Sequence, residues 1–358
     1  MAQDGQRHAV RAMDVSVATR AGDRSDFLGP IESTPGLVEQ LVGAGVLDRT
    51  AAARGALTFH DESRTNSVCR FDLDGVPFAY AKQRGWAARL DADDPVTAER
   101  TALTQLSRSD IVPTLLPIDS PNVLWTRALQ PCRPLHELLV RVPRAELVMA
   151  LKAWGSALAA LHRWPTRFGS PPQAQQPWIL GSSTIPAHLR ALRTAGPRSD
   201  ESASTRIQAL VGKLRSNPAV IDALAEVTAT WTARHWTHAD MTTANAVANR
   251  SQRYRWRVWL VDFEAAGLGD PRWDLATAYD SLLLHRATLG RHLRPSLQAL
   301  LDGYRRADGP ATLSPAHLIA RSMLTQVQVA AASCQRPTGA SWGGSDPEGD
   351  GHAARRIA

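Results

Sequence analysis

His235-Trp-Thr-His238-Ala-Asp240-Met-Thr-Thr-Ala-Asn245, followed by Trp259-Leu-Val-Asp262-Phe-Glu264, is the stretch on which the reading of this chain turns. Its pattern is His-x-Asp, four residues, Asn, then an apolar run ending in Asp. Phosphoryl transfer from a magnesium-bound nucleotide uses this set of residues: one Asp aligns the attacking hydroxyl, while an Asn and a second Asp hold the metal. The interval between Asn245 and Asp262 reads as Ala246-Val-Ala, a turn over Asn249–Tyr254 and a strand over Trp256–Val261. Such a hairpin returns Asp262 beside Asn245. In this reading Asp240 aligns the acceptor hydroxyl, Asn245 offers a hard oxygen ligand, and Asp262 bridges metal and phosphates. His238 braces the loop by backbone hydrogen bonds. Two alternatives stand beside it: His235, His238 and Asp240 as a hydrolytic metal cluster, or a purely structural His with a loop-capping Asp. The cluster leaves Asn245, Asp262, Lys82 and Glu99 without a role.

Upstream, Leu57-Thr-Phe59, Ser67–Leu73 and Val76–Lys82 read as strands, the last two joined by the hairpin signal Asp74-Gly75. A helix over Val96–Ser107 follows, with Glu99 in its first turn, and then two more strands, Ile111–Ile118 and Asn122–Leu129. Lys82, at the end of an apolar strand, can pair with nucleotide phosphates if a helical glutamate orients it, and Glu99 is the natural candidate. The plainer alternative is an edge-strand lysine and a solvated glutamate. Ser63–Ser67 stands where a phosphate-covering loop belongs, but contains no glycine and so no G-x-G-x-x-G cradle. Arg127, with Trp125, lies where an adenine-binding linker should run.

Downstream the chain turns helical: a short amphipathic segment at Pro35–Val42 has already preceded the strands, and helices are expected at Arg144–Trp164, 203–215, 218–232, 272–287, 293–306 and 314–333. Strands followed by helices indicate an α+β fold. Asp270 and Asp274 open the helix near 272, where an N-cap belongs; Asp274 can also bond the amides of the loop that carries Asp240. The expected organisation is a flexible segment 1–30, a nucleotide-binding lobe 31–130, a helical lobe 131–334 with an acceptor-binding insertion at 165–217, and a flexible tail 335–358.

The 358 residues carry a net charge of +7, with 44 % apolar and 21 % charged residues. That is a globular composition with a core to bury, and its basic balance favours anionic partners over a polycation. No Lys/Arg block is dense enough for a nucleic-acid arm, so nucleic acid is not an expected partner. There is no apolar run of membrane-spanning length and no secretory h-region in the first thirty residues, and three cysteines stand without metal-like spacing. No membrane association and a reducing, cytoplasmic setting are expected.

The ordered pieces Thr65-Asn66-Ser-Val, Ala81-Lys82-Gln, Ala98-Glu99-Arg, Leu158–His162, His238-Ala-Asp240-x4-Asn245, Leu260-Val-Asp262-Phe-Glu264 and Gly267-Leu-Gly-Asp270-Pro-x-x-Asp274-Leu-Ala resemble the aminoglycoside phosphotransferase and choline kinase family. The resemblance implies a bilobal protein-kinase-like fold, with a small antiparallel-sheet lobe, a larger helical lobe, and ATP or GTP with Mg2+ between them. It implies catalytic roles for Asp240 and His238, and metal binding by Asn245 and Asp262. Nucleotide contacts fall to Lys82, Glu99, Asn66, Ser67, Arg127 and Ala128, with Asp270 and Asp274 supporting them from behind. The γ-phosphate would pass to a hydroxyl of a small molecule or of a peptide Ser/Thr. Alternatives are a kinase that works with a partner lyase to dehydrate Ser/Thr, and a nucleotide-binding pseudokinase or partner subunit without turnover. Ala239 stands where the family usually has Gly, a mild change where the backbone angle suits Ala. Met241-Thr-Thr-Ala replaces the common Leu-His-Pro-Gly.

Overall fold

The computed structural model describes residues 34–53, 57–63, 66–84, 95–165, 201–250 and 255–333. The segments expected to be flexible (1–30 and 335–358) and most of the expected insertion, residues 166–200, lie outside the described residues.

The N-terminal part is a four-stranded antiparallel sheet in the order β1–β2–β3–β4: β1 (Leu57–Asp61), β2 (Ser67–Leu73), β3 (Val76–Gln83) and β4 (Val123–Arg127). Asp74 and Gly75 both have positive φ, 52° and 75°, the geometry in which a two-residue loop follows the twist of its strands. Strand alternation then sorts the side chains. Phe71, Ala79, Ala81, Val123 and Trp125 bury on one face, against Leu37 and Leu41 of α1 (Thr34–Gly43). Trp125 stacks at 5.4 Å from Phe71 and gives its indole N–H to Gln40, so it is a core residue and is not exposed to a ligand. Lys82 pairs in register with Leu124 on the opposite face, where α3 (Pro95–Gln105) packs. Glu99 stands one turn inside α3, beyond the first turn expected, because the helix begins at Pro95.

Residues 111–118 do not form the expected strand. They run beside β4 with one isolated bridge, Leu115 to Thr126, and bonds from Leu116 N to Trp125 O and from Arg127 N to Thr114 O. Pro113 and Pro117 lack the N–H groups that a continuous ladder needs.

The C-terminal part is mainly helical. Following α2 (Arg49–Ala53) and α3, its helices are α4 (Leu135–Arg141), α5 (Arg144–His162), α6 (Glu201–Arg215), α7 (Pro218–Thr230), α8 (Pro271–Leu284), α9 (Arg286–Leu289), α10 (Leu293–Arg306) and α11 (Pro315–Ser333). Among them run a three-stranded sheet of β5 (Arg133–Pro134), β7 (Ala246–Arg250) and β8 (Trp256–Leu260), and a two-stranded one of β6 (His235–Thr237) and β9 (Gly267–Gly269). Asn249 and Arg250 belong to β7 instead of the expected turn, pairing with Arg257 and Trp256. No helix among the described residues is long and apolar enough to cross a membrane.

Helices α5 and α10 touch backbone to backbone. A Cβ added to Gly155 would meet Leu300 O at 2.1 Å, and one on Gly303 would meet Lys152 O at 2.0 Å. This approach brings Tyr304 of α10 against His162 of α5, which matters for the site below. Gly303→Ala must push the helices apart, so it should lower the unfolding free energy by about 2–3 kcal/mol. Urea denaturation checks this, and a variant as stable as wild type would refute the close approach.

Candidate active site

The loop between β6 and β7 is held from behind by one carboxylate. Asp274, fully buried in the first turn of α8, accepts hydrogen bonds from His238 N at 2.7 Å and Ala239 N at 2.8 Å. It also pairs with His162 Nε2 at 3.0 Å, and His162 Nδ1 lies 2.7 Å from the Tyr304 hydroxyl. With its proton on Nε2 the ring donates to Asp274 and leaves Nδ1 to accept from Tyr304. Burial pushes the Tyr304 phenol well above its ordinary pKa, so the hydroxyl keeps the proton it donates. Three helices thus converge on two backbone amides.

Asp270, the N-cap of the same helix, accepts from Arg272 N at 3.0 Å and Thr232 N at 3.2 Å and pairs with the Arg272 guanidinium. Burial alone would raise its pKa; His317, Arg272 and these amides overrule it and hold the carboxyl well below the usual range. Trp273 donates to Ala239 O at 3.3 Å. Met241 is fully buried, and Thr243 bonds Ser281 through its amide at 2.9 Å. These anchors fix both ends of the segment that carries Asp240.

Ala239 has φ 66°, in the left-handed region, so the backbone angle does not suit Ala as the sequence reading allowed. A Cβ there costs about 1–2 kcal/mol relative to glycine before the unfolded state is counted. Asp262 also stands at positive φ, 70°, where the chain leaves β8 and turns its carboxylate toward Lys82.

Asp240 and Asn245 meet across their loop: Asn245 Nδ2 donates to Asp240 O at 2.8 Å and to Asp240 Oδ2 at 3.1 Å. That leaves the Asn245 amide oxygen as the atom available to a metal. Ladder pairing of Ala246 with Leu260, extended by Val261 N to Asn245 O at 2.9 Å, sets Asp262 next to Asn245. His238 Nε2 donates to Val261 O at 2.8 Å, tying the loop to the same hairpin end. His235 Nδ1 likewise contacts a carbonyl, His162 O, at 2.9 Å. Among the described residues no three His, Cys, Asp or Glu side chains gather so as to hold a metal ion, so His235, His238 and Asp240 form no hydrolytic metal cluster.

Lys82 reaches the hairpin from the N-terminal sheet. Its Nζ pairs with Glu99 Oε2 at 2.7 Å, Glu264 Oε2 at 2.9 Å, and Asp262 Oδ1. Burial would depress this lysine, but the three carboxylates overrule it and hold its pKa well above the ordinary value. Glu264 is raised by its burial and by the charge of Asp262, against the opposing pull of Lys82. Glu99 also accepts from Phe263 N at 3.1 Å, so α3 grips both the lysine and the Asp262-Phe-Glu264 turn. Asn66, buried at the start of β2, donates to Glu264.

Of the residues read from sequence, Lys82, Glu99, Asn66, Asn245, Asp262, Asp240, His238 and Asp274 form one connected cluster, with Asp270 beside it at the helix start. Ser67 is buried in β2 opposite Gln83. Arg127 is exposed and pairs with Ala79, three register positions from Lys82, so it is apart from the cluster. The Ala128 amide is engaged by Phe78 O at 2.9 Å. Sequence reasoning gave no role to Glu264, although it quoted the motif, and it passed over His317 and Arg321. Arg321, on α11, lies 3.8 Å from Asp240 Oδ1. The available signal was a polar stripe His317, Arg321, Thr325 at four-residue spacing on an otherwise largely apolar helix.

Asp274→Ala leaves two buried amides and His162 without their acceptor and should lower stability by about 3–5 kcal/mol. Ala239→Gly should raise it by about 0.5–1 kcal/mol, the left-handed strain less the extra freedom of the unfolded glycine. Both are read by denaturant titration. An Asp274→Ala protein of wild-type stability, or an Ala239→Gly protein less stable than wild type, would overturn this view of the loop.

The sequence model of the phosphotransferase enzyme family (APH) matches residues 65–314. No curated protein sequence gives a significant match. Among solved structures, aminoglycoside phosphotransferase APH(3'')-Id from Streptomyces rimosus superposes with a TM-score of 0.52 at 19 % identity, covering 83 % of this chain and 99 % of that one. The same protein in complex with ADP and streptomycin gives 0.52 and 19 %, over 82 % and 97 % of the two chains. Choline kinase LicA from Streptococcus pneumoniae gives 0.44 at 11 %, over 84 % and 99 %. The family model spans more than two-thirds of the 358 residues, including both the lysine strand and the Asp240 loop, and so the chain belongs to the phosphotransferase enzyme family and is a phosphotransferase with a hydroxyl as acceptor.

Proposed function

We propose that this protein transfers the γ-phosphate of a magnesium-bound nucleoside triphosphate to the hydroxyl of an acceptor, with Asp240 as the residue that aligns that hydroxyl. One observation carries the reading: Lys82, Glu99 and Asp262 form one ionic cluster, and the β7–β8 hairpin joins Asp262 to the Asp240–Asn245 loop. A nucleotide-holding protein without turnover has no need of the second half of that arrangement.

The residues fit a metal and phosphates. Asp240, Asp262, Glu264 and Glu99 set four carboxylates against two cations, Lys82 and Arg321, an excess of negative charge that a divalent ion neutralises. The Asp262 side chain is 41 % exposed, so its carboxylate is open to a ligand. Asn245 and Asp262 would hold the ion, as hard oxygen ligands suit magnesium. Bound there, it supplies neutralisation of phosphate charge. Lys82, kept charged by Glu99, would bind phosphate oxygens of the nucleotide. Asp240 accepts the hydrogen bond of the acceptor hydroxyl. As the hydroxyl oxygen bonds to the γ-phosphorus and the β–γ bridging bond breaks, the hydroxyl proton passes to Asp240. Asp274, through the amides of His238 and Ala239, keeps Asp240 in place during this step. A nucleotide donor is further supported by a solved structure of the same fold, which holds ADP.

The acceptor belongs to either of two classes, a small molecule or a peptide Ser/Thr, and the described residues carry no peptide-specific feature. Magnesium-dependent nucleotide consumption, with a panel of hydroxyl compounds and Ser/Thr peptides, tests the whole reading. Asp240→Asn should lower kcat by about 10²–10⁴-fold with little change in nucleotide affinity. Asp262→Asn should weaken the response to magnesium. Turnover in Asp240→Asn equal to wild type on an accepted substrate would sink the assignment.

A further inference from the structure

Arg321 is a buried cation with unfilled hydrogen-bonding capacity. Its side chain is 6 % exposed, its Nε makes no hydrogen bond, and among the described residues its one ion pair is with Asp240 Oδ1 at 3.8 Å, beyond hydrogen-bond reach. A guanidinium taken out of water at this depth requires anionic oxygens in fork geometry. Asp240 alone does not provide them.

The two oxygens of Asp240 divide the space around it. Oδ2 faces Asn245, on the side of the proposed metal and phosphates, while Oδ1 faces Arg321. The Asp240 side chain is 48 % exposed, so a hydroxyl that approaches Oδ1 comes against the Arg321 side. The carboxylates that flank the same helix are occupied. Asp280 accepts from Ser322 and Thr325, and Asp270 from Arg272 and two backbone amides. One turn from Arg321, His317 is fully buried, with Nε2 3.6 Å from Asp270 and neither ring nitrogen in a hydrogen bond. A polycationic acceptor would meet the Arg321 guanidinium there, and among the described residues the carboxylates of Asp270 and Asp280 beside that helix are already engaged. The net charge of +7 tends the same way.

We infer that the acceptor carries a carboxylate or phosphate close to the hydroxyl that is phosphorylated, and that Arg321 is the residue that selects for it. The inference rests on Asp240 as the aligning residue of the proposed function. In this arrangement the acceptor's anion completes the guanidinium's hydrogen bonds and draws the hydroxyl onto Asp240 Oδ1.

Three small alcohols serve as probes: glycerate, glycerol and ethanolamine, which share a primary hydroxyl and differ in the charge of the neighbouring group. Their binding to the full-length protein, with and without magnesium and ADP, can be followed by ligand-observed NMR titration. Glycerate should bind about tenfold more tightly than glycerol, and ethanolamine most weakly. Arg321→Gln should flatten that order, whereas Arg321→Lys, which keeps the charge and guards against a folding defect, should preserve it with weaker affinity. Glycerate binding no better than glycerol, or an unchanged order in Arg321→Gln, overturns the inference. A protein that binds glycerate through Arg321 yet transfers no phosphoryl group to any hydroxyl of the panel keeps Arg321 as the anion-selecting residue and defeats the functional reading. One that transfers phosphoryl without preferring acids does the reverse.

Discussion

A single buried ammonium joins the two parts of this molecule. Lys82 comes from the N-terminal sheet, Glu99 from the helix that packs on it, and Asp262 and Glu264 from the turn that ends the C-terminal hairpin. Lys82 and Glu99 are costly to bury alone; with the partly exposed Asp262 and Glu264 they are mutually compensated, and removal of Lys82 would leave the buried Glu99 without its counter-charge. The cluster therefore sets how the sheet sits over the helical part. It also holds the residues proposed to face phosphate in register before any ligand arrives.

The second constraint acts from beneath. Asp274 converts the packing of α5, α8 and α10 into the position of two amides, and hence of Asp240. The glycine contact between α5 and α10 is some way from any reacting atom, yet it decides whether Tyr304 can reach His162. Ala239 carries strain at the centre of this support, and the surrounding hydrogen bonds hold it there.

Much of this was legible in the residues. Alternation in Ser67–Leu73 and Val76–Lys82 with Asp74-Gly75 between them defines the hairpin, and the same parity turns Lys82 away from Phe71 and Trp125. The Asp240–Asn245 spacing, with the return to Asp262, defines the other half. What escaped has physical causes. Ile111–Ile118 is rich in apolar and β-branched residues, as strands are, but its prolines deny it a ladder. Glu264 reaches Lys82 because Asp262 adopts a left-handed angle, a property that spacing does not express. Arg321 stands on a largely apolar helix, where a lone arginine ordinarily reads as a surface group with its stem buried; only the packing of α11 against α7 and α8, which brings it within 3.8 Å of Asp240, makes it an interior charge.

The most direct test of the shared site is a crystal structure with magnesium and ADP bound. The ion should lie about 2.0–2.1 Å from the Asn245 amide oxygen and an Asp262 carboxylate oxygen. Lys82 should have left Asp262 for a phosphate oxygen while still paired with Glu99. A metal ligated by other residues, or a Lys82 that remains on Asp262 with nucleotide present, would contradict the assignment of this cluster.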